Sequence, residues 1–200
     1  MQRLLFHNGT IVLEDRLLPS SAVAVEGALI RSVGSAPADA DLVVDLQGGY
    51  LVPGFIDLHV HGGDGADFMD GTEEAFRAVC QAHARHGTTS LLPTTTVARH
   101  EQHLAFLEVC RRLQKEGTGG ARILGAHFYG PYFGREARGC HPAEALRPPR
   151  PEEYEQYLGF DCICTATVAP ELPGAGPTRP VARPGIRGGR YWTVDESEWE

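Results

Sequence analysis

From Pro53 to Ala175, apolar runs of strand length alternate with stretches of helical spacing, and the segment has room for only three or four such strand–helix units. That repeat constrains the fold more than any other feature. Repeated βα units argue for a parallel sheet, open or closed as a barrel, because each connection must travel back before the next strand begins. Closing a (β/α)8 barrel takes about 250 residues, so this chain cannot close one. An open half-barrel would leave a strand edge and an apolar face in water.

The units run as follows. A strand is expected at Phe55 to His61, a helix at Glu73 to His86, a strand at Thr88 to Thr95 and a helix at Arg99 to Lys115. Then come a strand at Arg122 to Gly130, a looser segment, and a strand at Cys162 to Ala169. Ala75, Val79, Ala82 and His86 recur at helical spacing, as do Leu104, Leu107, Cys110 and Leu113, so each helix can cover a sheet face. Gly87 and the Gly117–Gly120 stretch act as stop signals. Upstream, the first fifty residues read as short strands: Leu4 to His7, Thr10 to Leu13, Ala22 to Glu26, Ala28 to Val33 and Leu42 to Asp45. Asn8-Gly9, Glu26-Gly27 and Gly48-Gly49 break them into a small β-module. Downstream, Gly176 to Glu200 follows neither period and does not read as a further βα unit. It is expected to be a disordered extension, or a replacement for the continuation such a fold requires.

Several function classes drop out. A net charge of −8, with arginines scattered in Pro/Gly-rich sequence, is a poor match to a nucleic-acid groove. No apolar run approaches the roughly 20 residues that span a bilayer, and the opening MQRLLFHNGT lacks the zones of a signal peptide, so the expectation is a cytoplasmic protein without a membrane partner. The five cysteines form no CxxC pair and read as reduced packing residues.

The chemistry concentrates at strand ends. In LVPGFIDLHVHGG, His59 and His61 stand two apart on an apolar strand, so both imidazoles leave the same side. Two neutral imidazoles suit Zn2+ or another borderline divalent metal, which needs further ligands from elsewhere. Asp57 shares their face and could orient a ring, or could be a solvated strand-end carboxylate. Gly62, Gly63 and Gly65 offer bare backbone N–H groups to an anion such as phosphate, or simply turn the chain. In GAHFYGPYF, His127 and Tyr129 again share a face. His141 in GCHP could bind a polar substrate group, and Arg135 and Arg138 could attract a phosphate. Thr94 to Val97 supply hydroxyls at the second strand's rim or cap the following helix.

The β-module followed by LVPGFIDLHVHGGDGADF, HGTTSLLPTT, GAHFYGPYF, GCHP and TVAPEL resembles the N-acetylglucosamine-6-phosphate deacetylases of the amidohydrolase superfamily, over about residues 1–175. The resemblance implies an α/β fold: a small β-sandwich module at 1–52, the first half of a (β/α)8 TIM barrel at 53–175, and an irregular tail at 176–200. It implies metal-dependent hydrolysis of the N-acetyl group of N-acetylglucosamine-6-phosphate to glucosamine-6-phosphate and acetate. A phosphorylated amino sugar would be the substrate, Zn2+ the expected ion and a homodimer the expected assembly. His59 and His61 map onto the family's first metal pair. His127 and Tyr129 map onto its next metal-site strand, and His141, Gly62, Gly63 and Arg138 onto the substrate side.

Two departures follow. The family's H-x-E-G-P motif places a glutamate ligand where this chain has Tyr129, and a phenol with an ordinary pKa near 10 is a poor replacement. The family's later histidines and its general-base aspartate are expected beyond Ala175. This sequence has no His after His141, and its Asp195 lies in the unrelated tail. The expectation is thus a C-terminally incomplete family member. The competing readings are another amidohydrolase, dihydroorotase-like or an N-acyl-amino-acid deacylase, and a non-catalytic half-barrel that pairs with a second copy or another chain.

Overall fold

The computed structural model describes residues 1–35, 39–169 and 171–173, so the reading of 176–200 lies outside the described residues. The chain divides into two compact units, Met1–Gly54 and Phe55 onwards.

In the first unit β1 (Arg3–Val12) pairs antiparallel with β2 (Leu17–Glu26), and β2 pairs antiparallel with β3 (Leu29–Val33). The other side of β1 takes β4 (Leu42–Asp45) and β5 (Tyr50–Leu51) in parallel. The two strands expected on either side of Asn8-Gly9 are therefore one. Asn8 adopts φ 58°, the register shifts around Gly9, and a Cβ at Gly9 would lie 2.6 Å from Leu46 Cδ1. The dipeptide makes a bulge that keeps the strand going instead of a turn that ends it. β2 likewise starts earlier than Ala22, absorbing Pro19 and Ser20. Instead of two packed layers, the described residues of this unit form one sheet. Its buried cluster, Leu5, Ala22 and Ala24, is too small to fill the space between two sheets, and Leu29, Ile30, Val43 and Tyr50 stay exposed.

The second unit begins with β6 (Phe55–Val60), a short antiparallel pair β7 (Gly62–Gly63) and β8 (Ala66–Asp67), and a 3-10 turn at Phe68–Asp70. There follow α1 (Glu73–Arg85), β9 (Thr88–Pro93), α2 (His100–Glu116), β10 (Arg122–Ile123), β11 (Ala126–Tyr129), α3 (Pro151–Leu158) and β12 (Ile163–Thr167). β6, β9 and β10 are parallel, as are β11 and β12, and a single parallel bridge between Thr94 and His127 joins the two sets. Strand order thus follows chain order, as βα units require. The strand expected from Arg122 to Gly130 is interrupted at Leu124 and Gly125, where a Cβ on Gly125 would sit 2.8 Å from the Cys162 carbonyl oxygen.

The two long helices form where their apolar spacing places them. Thr72 caps α1 by accepting the Ala75 N–H at 3.2 Å, Glu73 and Glu74 lie in its first turn, and Gly87 at φ 92° lets the chain leave it. Their buried faces meet the 3-10 turn in a ring trio. Phe68 lies 4.7 Å from Phe76 and Phe76 5.3 Å from Phe106, all fully buried. Helix α3 falls in what reads from sequence as a looser segment. Pro151 at its first position pre-sets φ, Glu152 and Glu153 favour its N-terminus, and Tyr157 buries against the core. Arg147 fixes it by donating to both Glu153 carboxylate oxygens and to the carbonyls of Ala98 and Ala145.

Among the described residues β6 pairs on one side only, with β9, and Phe55, Ile56 and Leu58 are 62%, 61% and 57% exposed. A parallel strand is normally covered on both faces and both edges, so this surface is an association hazard. The isolated chain is expected to self-associate with rising concentration in light scattering, and the pair Ile56→Lys and Leu58→Lys to suppress this. Equal association by wild type and variant would locate the sticky surface elsewhere.

Candidate metal and substrate site

The strand ends of β6, β9, β11 and β12 bring the expected imidazoles together. His59 Nε2 and His61 Nε2 are 3.0 Å apart, and His61 Nδ1 lies 3.1 Å from the Thr94 carbonyl oxygen. A carbonyl only accepts, so His61 Nδ1 carries the proton and His61 Nε2 presents a lone pair. In the ion-free chain the short contact is then a hydrogen bond donated by His59 Nε2, a proton that an ion bound at this nitrogen would displace. Thr94 itself is locked, since its hydroxyl accepts the Val60 N–H at 3.0 Å and donates to the Leu92 carbonyl at 3.0 Å.

From β11, His127 and Tyr129 face the same group. The His127 ring centroid is 5.0 Å from that of His59, and the Tyr129 ring is 4.8 Å from His59 and 6.1 Å from His61. His127 is buried, with Nε2 2.8 Å from the Thr167 hydroxyl on β12. Tyr129 is held by its backbone, whose N–H donates to Thr95 Oγ1 at 2.7 Å while its carbonyl accepts from that hydroxyl at 3.2 Å. His141, 12 residues downstream of Tyr129 in the chain, closes the group, its ring 5.6 Å from Tyr129 and 5.2 Å from Phe133.

Burial and neighbouring rings favour the neutral form of His59, His127 and His141. Burial and the neighbouring His59 ring push His127 down to about 4, with the Leu58 backbone opposing. Burial and His61 also lower His59, against the pull of Asp57, and burial and His61 lower His141. The neutral ring is the form that ligates a metal.

Other sequence candidates take different places. Asp57 Oδ1 accepts the His59 backbone N–H at 3.0 Å, so that oxygen orients the chain and not the ring. Gly62 and Gly63 pair with Asp67 and Ala66, and a Cβ on Gly62 would come within 2.4 Å of the Ala66 carbonyl oxygen, so close strand approach already demands a glycine there. Arg138 is exposed and donates to the His141 backbone carbonyl at 2.8 Å. Thr94 and Thr95 are buried stitches between strands. They do not cap α2, whose N-cap is Arg99. Thr167 and the Thr94 carbonyl are site residues that sequence reading missed. Alternation on β12 would have aimed Thr167 at His127 only once the pairing of β11 with β12 was known.

The donor set fits a divalent cation as a half-site. Two ring nitrogens 3.0 Å apart can both reach one ion at bond lengths of about 2.0–2.1 Å, and the Thr94 carbonyl holds one of them in the ligating tautomer. Among the described residues no group of three His, Cys, Asp or Glu is arranged to hold a metal. The β11 rings packed on the pair are those of Tyr129 and His127, 4.8 and 5.0 Å from His59.

A profile of the amidohydrolase family matches residues 50–161. The N-acetylglucosamine-6-phosphate deacetylase of Vibrio furnissii is 35% identical over 127 residues, 62% of this chain and 32% of that protein. The N-acetylgalactosamine-6-phosphate deacetylase of Escherichia coli O157:H7 is 31% identical over 168 residues, 82% of this chain and 44% of that one. Among solved structures, the N-acetylglucosamine-6-phosphate deacetylase of Pasteurella multocida superposes with a TM-score of 0.78 at 31% identity, covering 86% of this chain and 46% of its own. The chain spans less than half the length of each of these relatives.

Proposed function

Because the chain belongs to the amidohydrolase family, whose members are metal-dependent, we propose that it carries the opening strands of a (β/α)8-barrel deacetylase acting on N-acetylglucosamine-6-phosphate. The products would be glucosamine-6-phosphate and acetate. The observation that carries this reading is the convergence of His59, His61, His127, Tyr129 and His141 at the C-terminal ends of parallel strands, where barrel enzymes keep their chemistry. The likeness to deacetylases named for both the gluco and the galacto sugar supports a 2-acetamido-hexose 6-phosphate as the substrate class.

His59 and His61 would hold the ion through Nε2, and Zn2+ suits their nitrogen donors. Bound there, a divalent cation would supply Lewis-acid polarisation of the amide carbonyl and activation of water. The chain's own residues set the geometry. The Thr94 carbonyl fixes the His61 tautomer, Thr167 orients His127, and His141 offers a neutral ring to a substrate hydroxyl. The exposed Arg138, which donates to the His141 carbonyl, would serve as a cation for the phosphate, and the Gly62–Gly63 backbone would lie on the substrate side. No residue is assigned as general base: the aspartate that the resemblance expects beyond Ala175 has no counterpart among the described residues. A phosphorylated metabolite as substrate supports a cytoplasmic location, and a homodimer is the assembly we favour.

The half-built ligand set also supports a second reading, a binding module without turnover. Acetate release from N-acetylglucosamine-6-phosphate and its galacto isomer separates the two, measured on the purified chain with Zn2+ beside His59→Ala. With a general base and further ligands missing from the described residues, no release beyond that of His59→Ala is expected from this chain alone. Release that the variant loses would mean that the site is completed, by a second polypeptide or otherwise, and would exclude the binding-only reading.

A further inference from the structure

Residues 131–150 form neither helix nor strand, and the part from Pro131 to Arg147 is a loop whose ends meet, the Arg147 N–H donating to the Pro131 carbonyl at 3.4 Å. Loops beyond about 12–15 residues without helix or strand are uncommon in compact domains and usually carry function. This one carries His141, whose ring lies 5.6 Å from Tyr129 and 5.2 Å from Phe133, and Arg138, which donates to the His141 carbonyl. At its start Tyr132 and Phe133 are buried, and the Tyr132 carbonyl accepts the Ala169 N–H at 2.8 Å. Its other end is tied by the side chain of Arg147, whose five guanidinium N–H groups all have acceptors. Nε meets both Glu153 carboxylate oxygens, at 2.8 and 3.0 Å, and one Nη meets the carbonyls of Ala98 and Ala145 at 3.0 and 2.8 Å. The other Nη meets Glu153 Oε1 and the Tyr157 hydroxyl, and that hydroxyl in turn donates to Glu153 Oε1 at 2.6 Å.

The tie is made to parts of the fold that already order the site. Ala98 belongs to the connection between β9 and α2, where the Thr94 carbonyl holds His61 and Thr95 clamps the Tyr129 backbone. Glu153 and Tyr157 belong to α3, and Tyr157 is buried in the core. We propose that Arg147 is the positioning residue of this loop: by bridging the β9–α2 connection and α3, it holds His141 against Tyr129 and Phe133. The consequence for substrate rests on the reading of His141 as a substrate-side ring. The planar fork is what the bridge needs. A lysine offers three donors on one nitrogen, which cannot reach a carboxylate and two carbonyls lying in different directions at once. Without the bridge the second half of the loop is released, and a ring that samples many positions must be ordered again by each ligand it meets.

The test follows the His141 ring by nuclear magnetic resonance on the full chain labelled in its histidines, the signal being identified by its loss in His141→Ala. In wild type the ring protons are expected to be displaced from free-histidine positions by the rings of Tyr129 and Phe133. In Arg147→Met, which removes the donors, that displacement is expected to be lost while the His59 and His127 signals stay in place. Arg147→Lys is expected to behave like Arg147→Met. A purely structural role would lower the melting temperature, followed by circular dichroism, and leave the His141 signal of the folded chain where it is. An unmoved His141 signal in folded Arg147→Met, or full rescue by Arg147→Lys, would overturn the proposal. If Arg147→Met does not fold, Glu153→Gln decides, since it keeps the arginine but removes the charge that it grips. Part of the displacement should then go, and a signal identical to wild type would overturn the proposal. Adding N-acetylglucosamine-6-phosphate separates the substrate reading. The sugar is expected to move the His141 signal of wild type, and to need about tenfold more ligand to do so in Arg147→Met, the effect of losing one charge-assisted contact. A wild-type His141 signal indifferent to the sugar, with the ring still released in Arg147→Met, would remove the substrate role and keep the positioning.

Discussion

Phe106→Ala is expected to cost about 3–5 kcal/mol of unfolding free energy, the range for emptying a fully buried aromatic position. Phe106 is 0% exposed and sits on α2 against Phe76 of α1, with Phe68 of the 3-10 turn completing the trio. The cavity would open where both helices and the turn meet, so little can collapse into it. A domain's whole stability is about 5–15 kcal/mol, so the loss should show in urea unfolding as a much lower midpoint, or as a chain already partly unfolded in buffer. Phe106→Leu keeps most of the volume and should cost about 1.5 kcal/mol or less. If Phe106→Ala costs under 1 kcal/mol, the trio is not the keystone of the second unit.

Acidification should destabilise the chain well above the ordinary carboxylate range, and His103 should be a main cause. His103 is fully buried on α2, with Nε2 2.8 Å from the Thr96 carbonyl, rings from Phe128 and Tyr157 against it, and no partner for Nδ1. Burial pushes it from 6.5 down to about 4, with the Thr96 carbonyl opposing. Its folded pKa therefore lies below its unfolded one, and below pH 6.5 the unfolded chain takes up a proton that the folded chain refuses. The stability His103 contributes is complete above about pH 6.5 and is lost as pH falls towards 4, amounting to about 3 kcal/mol. His103→Gln keeps an N–H for Thr96 but cannot titrate. Its unfolding free energy should fall less than that of wild type between pH 7 and pH 4. Parallel curves for the two proteins would sink the assignment. Glu153 acts in a lower window. Burial raises its pKa, but hydrogen bonds from Arg147 and Tyr157 outweigh this and leave it lowered, so its contribution is lost only as pH falls through the carboxylate range.

The legible parts of this fold were those governed by neighbours in sequence. Helices α1 and α2 lie within a residue or two of where their apolar spacing and glycine stops put them, because a helix presents one face every three or four residues whatever it packs on. His59 and His61 emerge on one side of β6 for the same reason, since alternation is a local property of a strand. Helix α3 was missed: the Pro-Glu-Glu start at Pro151 is a helix signal, but the prolines around it favour reading a loop.

Illegible were the features set by residues far apart in the chain. Asn8-Gly9 has the composition of a turn, yet becomes a bulge because Leu46 and the Gly49 carbonyl press on Gly9 from the connection between β4 and β5. Thr94 and Thr95 read as rim hydroxyls or caps, and become buried ties only because β6 and β11 flank them. The sequence by itself determined the helices, the alternation of strands and the pair of imidazoles that define the chemistry, each through a periodicity of the backbone. Only the tertiary structure decided that Thr94 sets the His61 tautomer, that His141 folds back on Tyr129, and that a phenol stands against the nitrogen pair. Those contacts join residues 12 to 70 positions apart, and they depend on which strand lies beside which, a choice that no local pattern encodes.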